Sequence, residues 1–143
     1  MTGTILVVDD ERDLAATCER LLRRRGWNVA IVGSREAALT MLARHPRPVL
    51  AIVDRQLPDG DGVDVLRAAL AVGTPVIVVT GYGSGATRRL TLEEGAAGFL
   101  AKPFSANDLL ELVRGIVGDA AERATAPTSW TPVPDPPRSG IRR

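Results

Sequence analysis

Several residue types are scarce in this chain, and each scarcity narrows what it can be. There is one cysteine, Cys18, so no internal disulfide can form, which suits a reducing, cytoplasmic setting. There is one histidine, His45, placed between Arg44 and two prolines where a helix should break; it reads as a surface residue. No apolar run approaches the ~20 residues of a membrane span. The first residues lack a basic region followed by an apolar stretch, which predicts no signal peptide. Charge of either sign is not in excess. A formal net charge of +1 gives no general case for nucleic acid or an anionic membrane as partner, and no direct nucleic-acid binding is predicted. Lysine is scarcest of all relative to its kind: among 18 basic residues only Lys102 is a lysine. An ammonium is a compact point charge, whereas a guanidinium is a broad planar fork. A site that holds one small anion at close range can require the first and reject the second.

What is present explains that lysine. Four short runs rich in Val and Ile each end in a residue suited to phosphate or metal chemistry. Ile5 to Val8 leads into Asp9, Asp10 and Glu11, and Val49 to Val53 leads into Asp54. Val76 to Val79 leads into Thr80, and Phe99 to Ala101 leads into Lys102 and Pro103. Such runs predict strands covered on both faces, as in a parallel sheet between helices. Ligands of open α/β sheets bind at the carboxyl ends of the strands, which would bring these side chains into one crevice.

Helical patterns alternate with the strands. Leu14, Cys18, Leu21 and Leu22 predict a first helix from about Glu11 to Arg25 that stops at Gly26, with Cys18 a core residue. Asn28 to Val32 predicts a second strand, followed by a helix capped by Ser34 and carrying Ala38, Met41 and Leu42. A turn-rich loop from Leu57 to Gly62 leads to a helix with Val63, Leu66 and Leu70. Glycines 81, 83 and 85 lack the spacing of a nucleotide-binding loop and read as a mobile connection. Ser105 and Asp108 form a capping box for a last helix bearing Leu109, Leu112, Val113 and Ile116. The arginine clusters 23–25 and 88–89 read as solvated helix faces. The expected architecture is (βα)5: an α/β, doubly wound, five-stranded parallel sheet, flavodoxin-like, with strand order 2-1-3-4-5. From 124 to 143 the chain is proline-rich and predicts an extended or disordered tail, in which Trp130 is out of character.

The set Asp9, Asp10, Asp54, Thr80, Lys102 and Pro103 resembles the receiver domain of two-component response regulators, as do the motifs 57–62 and 95–100. The resemblance covers about residues 2 to 118. It implies that Asp54 is the phosphoacceptor, taking a phosphoryl group from a sensor histidine kinase or a histidine phosphotransfer protein. It implies a Mg2+ site made by Asp9, Asp10, Asp54 and the backbone carbonyl of Gln56. Thr80 and Lys102 would contact the phosphoryl oxygens, Pro103 would follow a cis peptide, and Thr80 with Phe99 would form the switch. The output face would be the fourth helix, fifth strand and fifth helix, which would contact a downstream protein. Gln56 and Tyr82 would flank the path of the hydrolytic water, which favours slow self-dephosphorylation. Arg55, next to the acceptor, stands where an apolar residue is common.

The chemistry agrees on elementary grounds. Phosphoryl transfer asks a protein mainly for positioning and charge neutralisation. Three clustered carboxylates repel one another unless a cation intervenes, and Mg2+ prefers oxygen ligands. A turnover enzyme built on an aspartyl phosphate usually carries an Asp-x-Asp nucleophile on the first strand, which is not the pattern here, so a signalling domain is expected. The alternative within that class is a receiver fragment of a longer regulator, with a DNA-binding or catalytic effector after the proline-rich segment.

Overall fold

The computed structural model describes residues 3–81 and 85–118; the proline-rich segment with Trp130, and Tyr82, lie outside the described residues. Five parallel strands form one sheet: β1 (Thr4–Val8), β2 (Asn28–Val32), β3 (Leu50–Asp54), β4 (Val76–Thr80) and β5 (Gly98–Ala101). Their order is β2-β1-β3-β4-β5, a doubly wound sheet of flavodoxin-like topology. The helices between and after them are α1 (Arg12–Arg24), α2 (Arg35–Leu42), α3 (Gly62–Ala71), α4 (Gly85–Glu93) and α5 (Ala106–Val117).

Alternation along the strands divides the core in two. Ile5, Val7, Leu50, Ile52, Ile77 and Val79 point to one face and pack on Ala15, Cys18 and Leu22 of α1 and Leu109, Val113 and Val117 of α5. Leu6, Val8, Ala51, Val53, Val76 and Val78 point to the other and pack on Ala38 and Leu42 of α2 and Val65, Leu66 and Ala69 of α3. Burial of one such aliphatic side chain is worth about 1.5–3 kcal/mol, so the sheet is held from both sides. The edge strand β2 is covered less completely, and Ile31 is exposed.

Local signals set the boundaries. Ser34 Oγ accepts from the Ala37 N–H at 3.1 Å at the start of α2, and Ser105 Oγ accepts from the Asp108 N–H at 3.0 Å at the start of α5. Gly26 ends α1 with φ of 94°. Trp27, which the sequence patterns left unassigned, follows at once; its N–H bonds the Leu22 carbonyl at 3.2 Å and its ring lies in the core beside α1.

Two features are finer than the sequence patterns. In α3 the buried side chains are Val65, Leu66 and Ala69, while Val63 is half-buried and Leu70 exposed. Its register is set by Asp61, whose Oδ1 caps the Val63 N–H at 2.9 Å. The segment before α3 is also more ordered than a loop. Gln56–Leu57 and Gly60–Asp61 pair antiparallel into a hairpin with Pro58 and Asp59 at its tip.

Candidate functional site

The register of the parallel sheet aligns the functional strand ends. Val8 pairs with Val53, Asp54 with Val79, and Thr80 with Ala101, so the residues that follow converge at one edge. Backbone bonds across that edge keep it in place: the Arg55 N–H donates to the Val79 carbonyl and the Lys102 N–H to the Thr80 carbonyl, both at 2.8 Å. The Lys102–Pro103 peptide is cis.

Lys102 is the hub. Its Nζ donates to Asp54 Oδ2 at 2.9 Å, stands 3.3 Å from Asp9 Oδ2 and contacts Glu11 Oε1. Burial alone would favour loss of its proton, but the hydrogen bonds to Glu11 and Asp54 and the charges of Asp9 and Asp54 outweigh it and raise the pKa. The ammonium is therefore a fixed positive charge. Asp54 is buried, and its other oxygen, Oδ1, accepts the Gln56 N–H at 3.0 Å. Asp9 is also buried, with Oδ1 accepting the Glu11 N–H at 2.8 Å. Burial pushes its carboxyl above the usual range and Asp54 adds to the push, while the Glu11 amide and Lys102 oppose it. Cys18 is buried, and desolvation pushes its thiol up to about 11, which rules out thiolate chemistry at neutral pH.

One carboxylate oxygen from each of Asp9, Glu11 and Asp54 lies within 4.8 Å of the others. Three carboxylates against one ammonium leave a concentrated negative charge, and hard oxygen donors at this spacing suit a divalent cation. Glu11, the residue before α1, is in this set although the resemblance did not place it in the metal site; Asp10 is exposed and is not one of the three. Thr80 is buried at the end of β4, and Phe99 is half-buried on β5 opposite Val78. Arg55 turns aside to Asp61, 3.4 Å away, on the partly exposed rim.

Gly62 shows how tightly α3 meets the acceptor strand. Its N–H donates to the Arg55 carbonyl at 2.8 Å, and a Cβ there would stand 2.3 Å from the Asp54 carbonyl oxygen. Only glycine allows this approach.

Residues 5–114 match the family model for the response regulator receiver domain. The chain belongs to that family. The receiver is 37% identical over 115 residues to the DNA-binding response regulator MtrA of Mycolicibacterium paratuberculosis, a match covering 80% of this chain and 51% of that protein. It thus spans about half the length of the curated relatives it matches. Among solved structures, a CheY-like receiver domain protein from Methanospirillum hungatei is 29% identical with a TM-score of 0.74, covering 86% of this chain and 99% of that one. A response regulator from Burkholderia pseudomallei, solved with a phosphorylated aspartic acid, a calcium ion and citrate, is 29% identical with a TM-score of 0.70, covering 85% of this chain and 71% of that one. Response regulators are phosphorylated by histidine kinases and act on downstream effectors. No helix among the described residues is long and apolar enough to cross a membrane.

Proposed function

We propose that this receiver takes a phosphoryl group on Asp54 from the phosphohistidine of a sensor kinase or phosphotransfer protein. The observation that carries the reading is the Asp54 carboxylate itself. It is buried at the end of the central strand, 2.9 Å from Lys102 Nζ and grouped with Asp9 and Glu11. A carboxylate oxygen of Asp54 attacks phosphorus, the phosphorus–nitrogen bond breaks, and its electron pair stays on the donor imidazole. Lys102 orients Asp54 before transfer and pairs with a phosphoryl oxygen after it. The Gln56 N–H fixes the second oxygen of Asp54, and Thr80 offers a hydroxyl to the incoming group. Asp9, Glu11 and Asp54, joined by Asp10 and the Gln56 carbonyl, are the residues that would hold Mg2+. When bound, that ion supplies neutralising charge to the carboxylates and the phosphoryl oxygens. The Burkholderia relative, whose structure contains a phosphorylated aspartic acid and a calcium ion, supports this assignment of roles.

Phosphorylation adds about one negative charge where Lys102 and Thr80 converge. The switch is the movement of Thr80 toward the phosphoryl group and of Phe99 behind it, passed to a partner protein over the surface of α4, β5 and α5. A second reading is favoured by the half-length match to a DNA-binding regulator: the same switch acts on an effector domain joined to this receiver. The size of the native polypeptide in its own cell separates the two readings.

The test uses a small phosphodonor and intact mass. Wild type gains one phosphoryl group when Mg2+ is supplied and none in the presence of a chelator, and Asp54→Asn gains none in either case. An equal gain in Asp54→Asn contradicts the assignment.

A further inference from the structure

The hairpin after the acceptor strand is tied down at both ends, and its far end is held by a residue the phosphoryl chemistry does not use. Asp59, at the tip, is exposed, yet its carboxylate spans two backbone donors: Oδ1 accepts the Arg35 N–H at 2.7 Å and Oδ2 the Glu36 N–H at 3.0 Å. These are the first two amides of α2, and the third, Ala37, is taken by Ser34 Oγ at 3.1 Å. The first turn of a helix leaves such donors without intrahelical partners and carries positive dipole charge. Here a carboxylate distant in sequence satisfies them. Those two amides hold the Asp59 carboxyl below its usual range, with the Arg35 charge adding to the effect.

Two further contacts secure the same joint. Arg35 Nε donates to Asp64 Oδ2 at 2.9 Å, and a Cβ on Gly60 would stand 2.6 Å from Arg35 Cδ, so the tip lies directly against α2. At its near end the hairpin presents the Gln56 N–H to Asp54 Oδ1 at 3.0 Å, and Gln56 pairs with Asp61 and Leu57 with Gly60 in between.

We infer that Asp59 is a positioning residue for the acceptor site: by clamping the hairpin tip to α2 it fixes the Gln56 backbone against Asp54. The inference rests on the phosphoacceptor reading of Asp54. It assigns to α2 a part in chemistry that none of its own side chains reaches. A hairpin of two residue pairs is too short to hold its shape unaided, and its position follows from its anchors. Loss of the far anchor leaves the Gln56 amide and carbonyl free to wander by the small distances that lower metal affinity and transfer rate.

Three measurements on the full chain test this. The first is amide hydrogen exchange at Gln56 in the absence of any divalent cation. The second is Mg2+ affinity by calorimetry, and the third is the initial rate of phosphorylation by a small phosphodonor. Asp59→Ala is expected to speed exchange at Gln56, and to weaken Mg2+ binding and slow phosphorylation by about tenfold each, the usual scale for outer supporting groups. Exchange in the core strands should stay at wild-type values. Asp59→Asn keeps one acceptor oxygen and should recover part of each loss. Wild-type exchange at Gln56 in Asp59→Ala overturns the inference. So does a uniform rise in exchange along the chain with a matching fall in Tm, which makes Asp59 a stability residue only. Because exchange at Gln56 is read without cation or phosphodonor, it decides this inference even if Asp54 proves not to be the acceptor.

Discussion

Replacing Asp9 by Asn should raise the thermal stability of the cation-free protein while reducing what a divalent cation adds. Asp9 is 7% exposed, its Oδ2 stands 3.3 Å from Lys102 Nζ, and its carboxylate lies within 4.8 Å of those of Asp54 and Glu11. With an effective dielectric of about 20, one like-charge pair at that spacing repels by about 3.5 kcal/mol, and the Lys102 pair attracts by about 5 kcal/mol. Two repulsions against one attraction come close to balance once the exposed Glu11 carboxylate is screened. Burial then decides the sign, and it raises the Asp9 carboxyl. A carboxyl raised by folding binds its proton more tightly in the folded chain. Stability is therefore lost as pH climbs from the ordinary value of 3.8 through the folded pKa. Asp9→Asn removes that loss and keeps an oxygen for the Glu11 N–H. We expect a gain of about 1 kcal/mol, or about 3 °C in Tm, at pH 7 in chelator. At pH 4 the gap should narrow, because more of the wild-type carboxyl is protonated there than at pH 7. Added Mg2+ reverses the order: at roughly 100 times its Kd it stabilises wild type by about 2.7 kcal/mol, and the variant by less. The assay is a set of thermal melts at both pH values with and without Mg2+. A variant that melts below wild type in chelator at pH 7 would show that Lys102 outweighs burial, and would refute this balance.

Other substitutions test neighbouring links. Lys102→Arg keeps the charge but not the compact geometry, so phosphorylation should persist in part by intact mass while the spectroscopic response to a phosphoryl mimic is lost. Gly62→Ala places a Cβ against the backbone of Asp54 and should destabilise by about 1–3 kcal/mol in denaturant titration, with slower phosphorylation of the folded fraction. Leu66→Ala removes a fully buried side chain from the α3 face and should lose about 2–5 kcal/mol, whereas Leu70→Ala, on the exposed side, should lose under about 0.5 kcal/mol.

The fold was legible because four of the five strands are apolar runs with abrupt polar ends, and a parallel sheet lines such ends up. That made Asp54, Thr80 and Lys102 readable as neighbours from order alone. What escaped depended on geometry finer than a pattern. Glu11 reaches Lys102 because it precedes α1 with extended backbone, a direction that no spacing encodes. The inward face of α3 was not legible because apolar residues occur all round that helix, and the cap at Asp61 decides which of them turn to the sheet. Asp59 was visible only as a turn residue; its partners lie 23 and 24 positions away, joined by the packing of α2 against α3. The lone lysine was the best single clue, since scarcity made its placement informative.

The destination of the phosphoryl group decides the role of every residue in this site. Wild-type protein treated with a small phosphodonor and Mg2+ can be reduced with borohydride, which converts an aspartyl phosphate to homoserine, and then mapped by peptide mass spectrometry. The prediction is conversion at Asp54 alone, with Asp9, Asp10 and Glu11 unchanged. Conversion at any of those three, or none at Asp54 in protein that has gained a phosphoryl group, contradicts it.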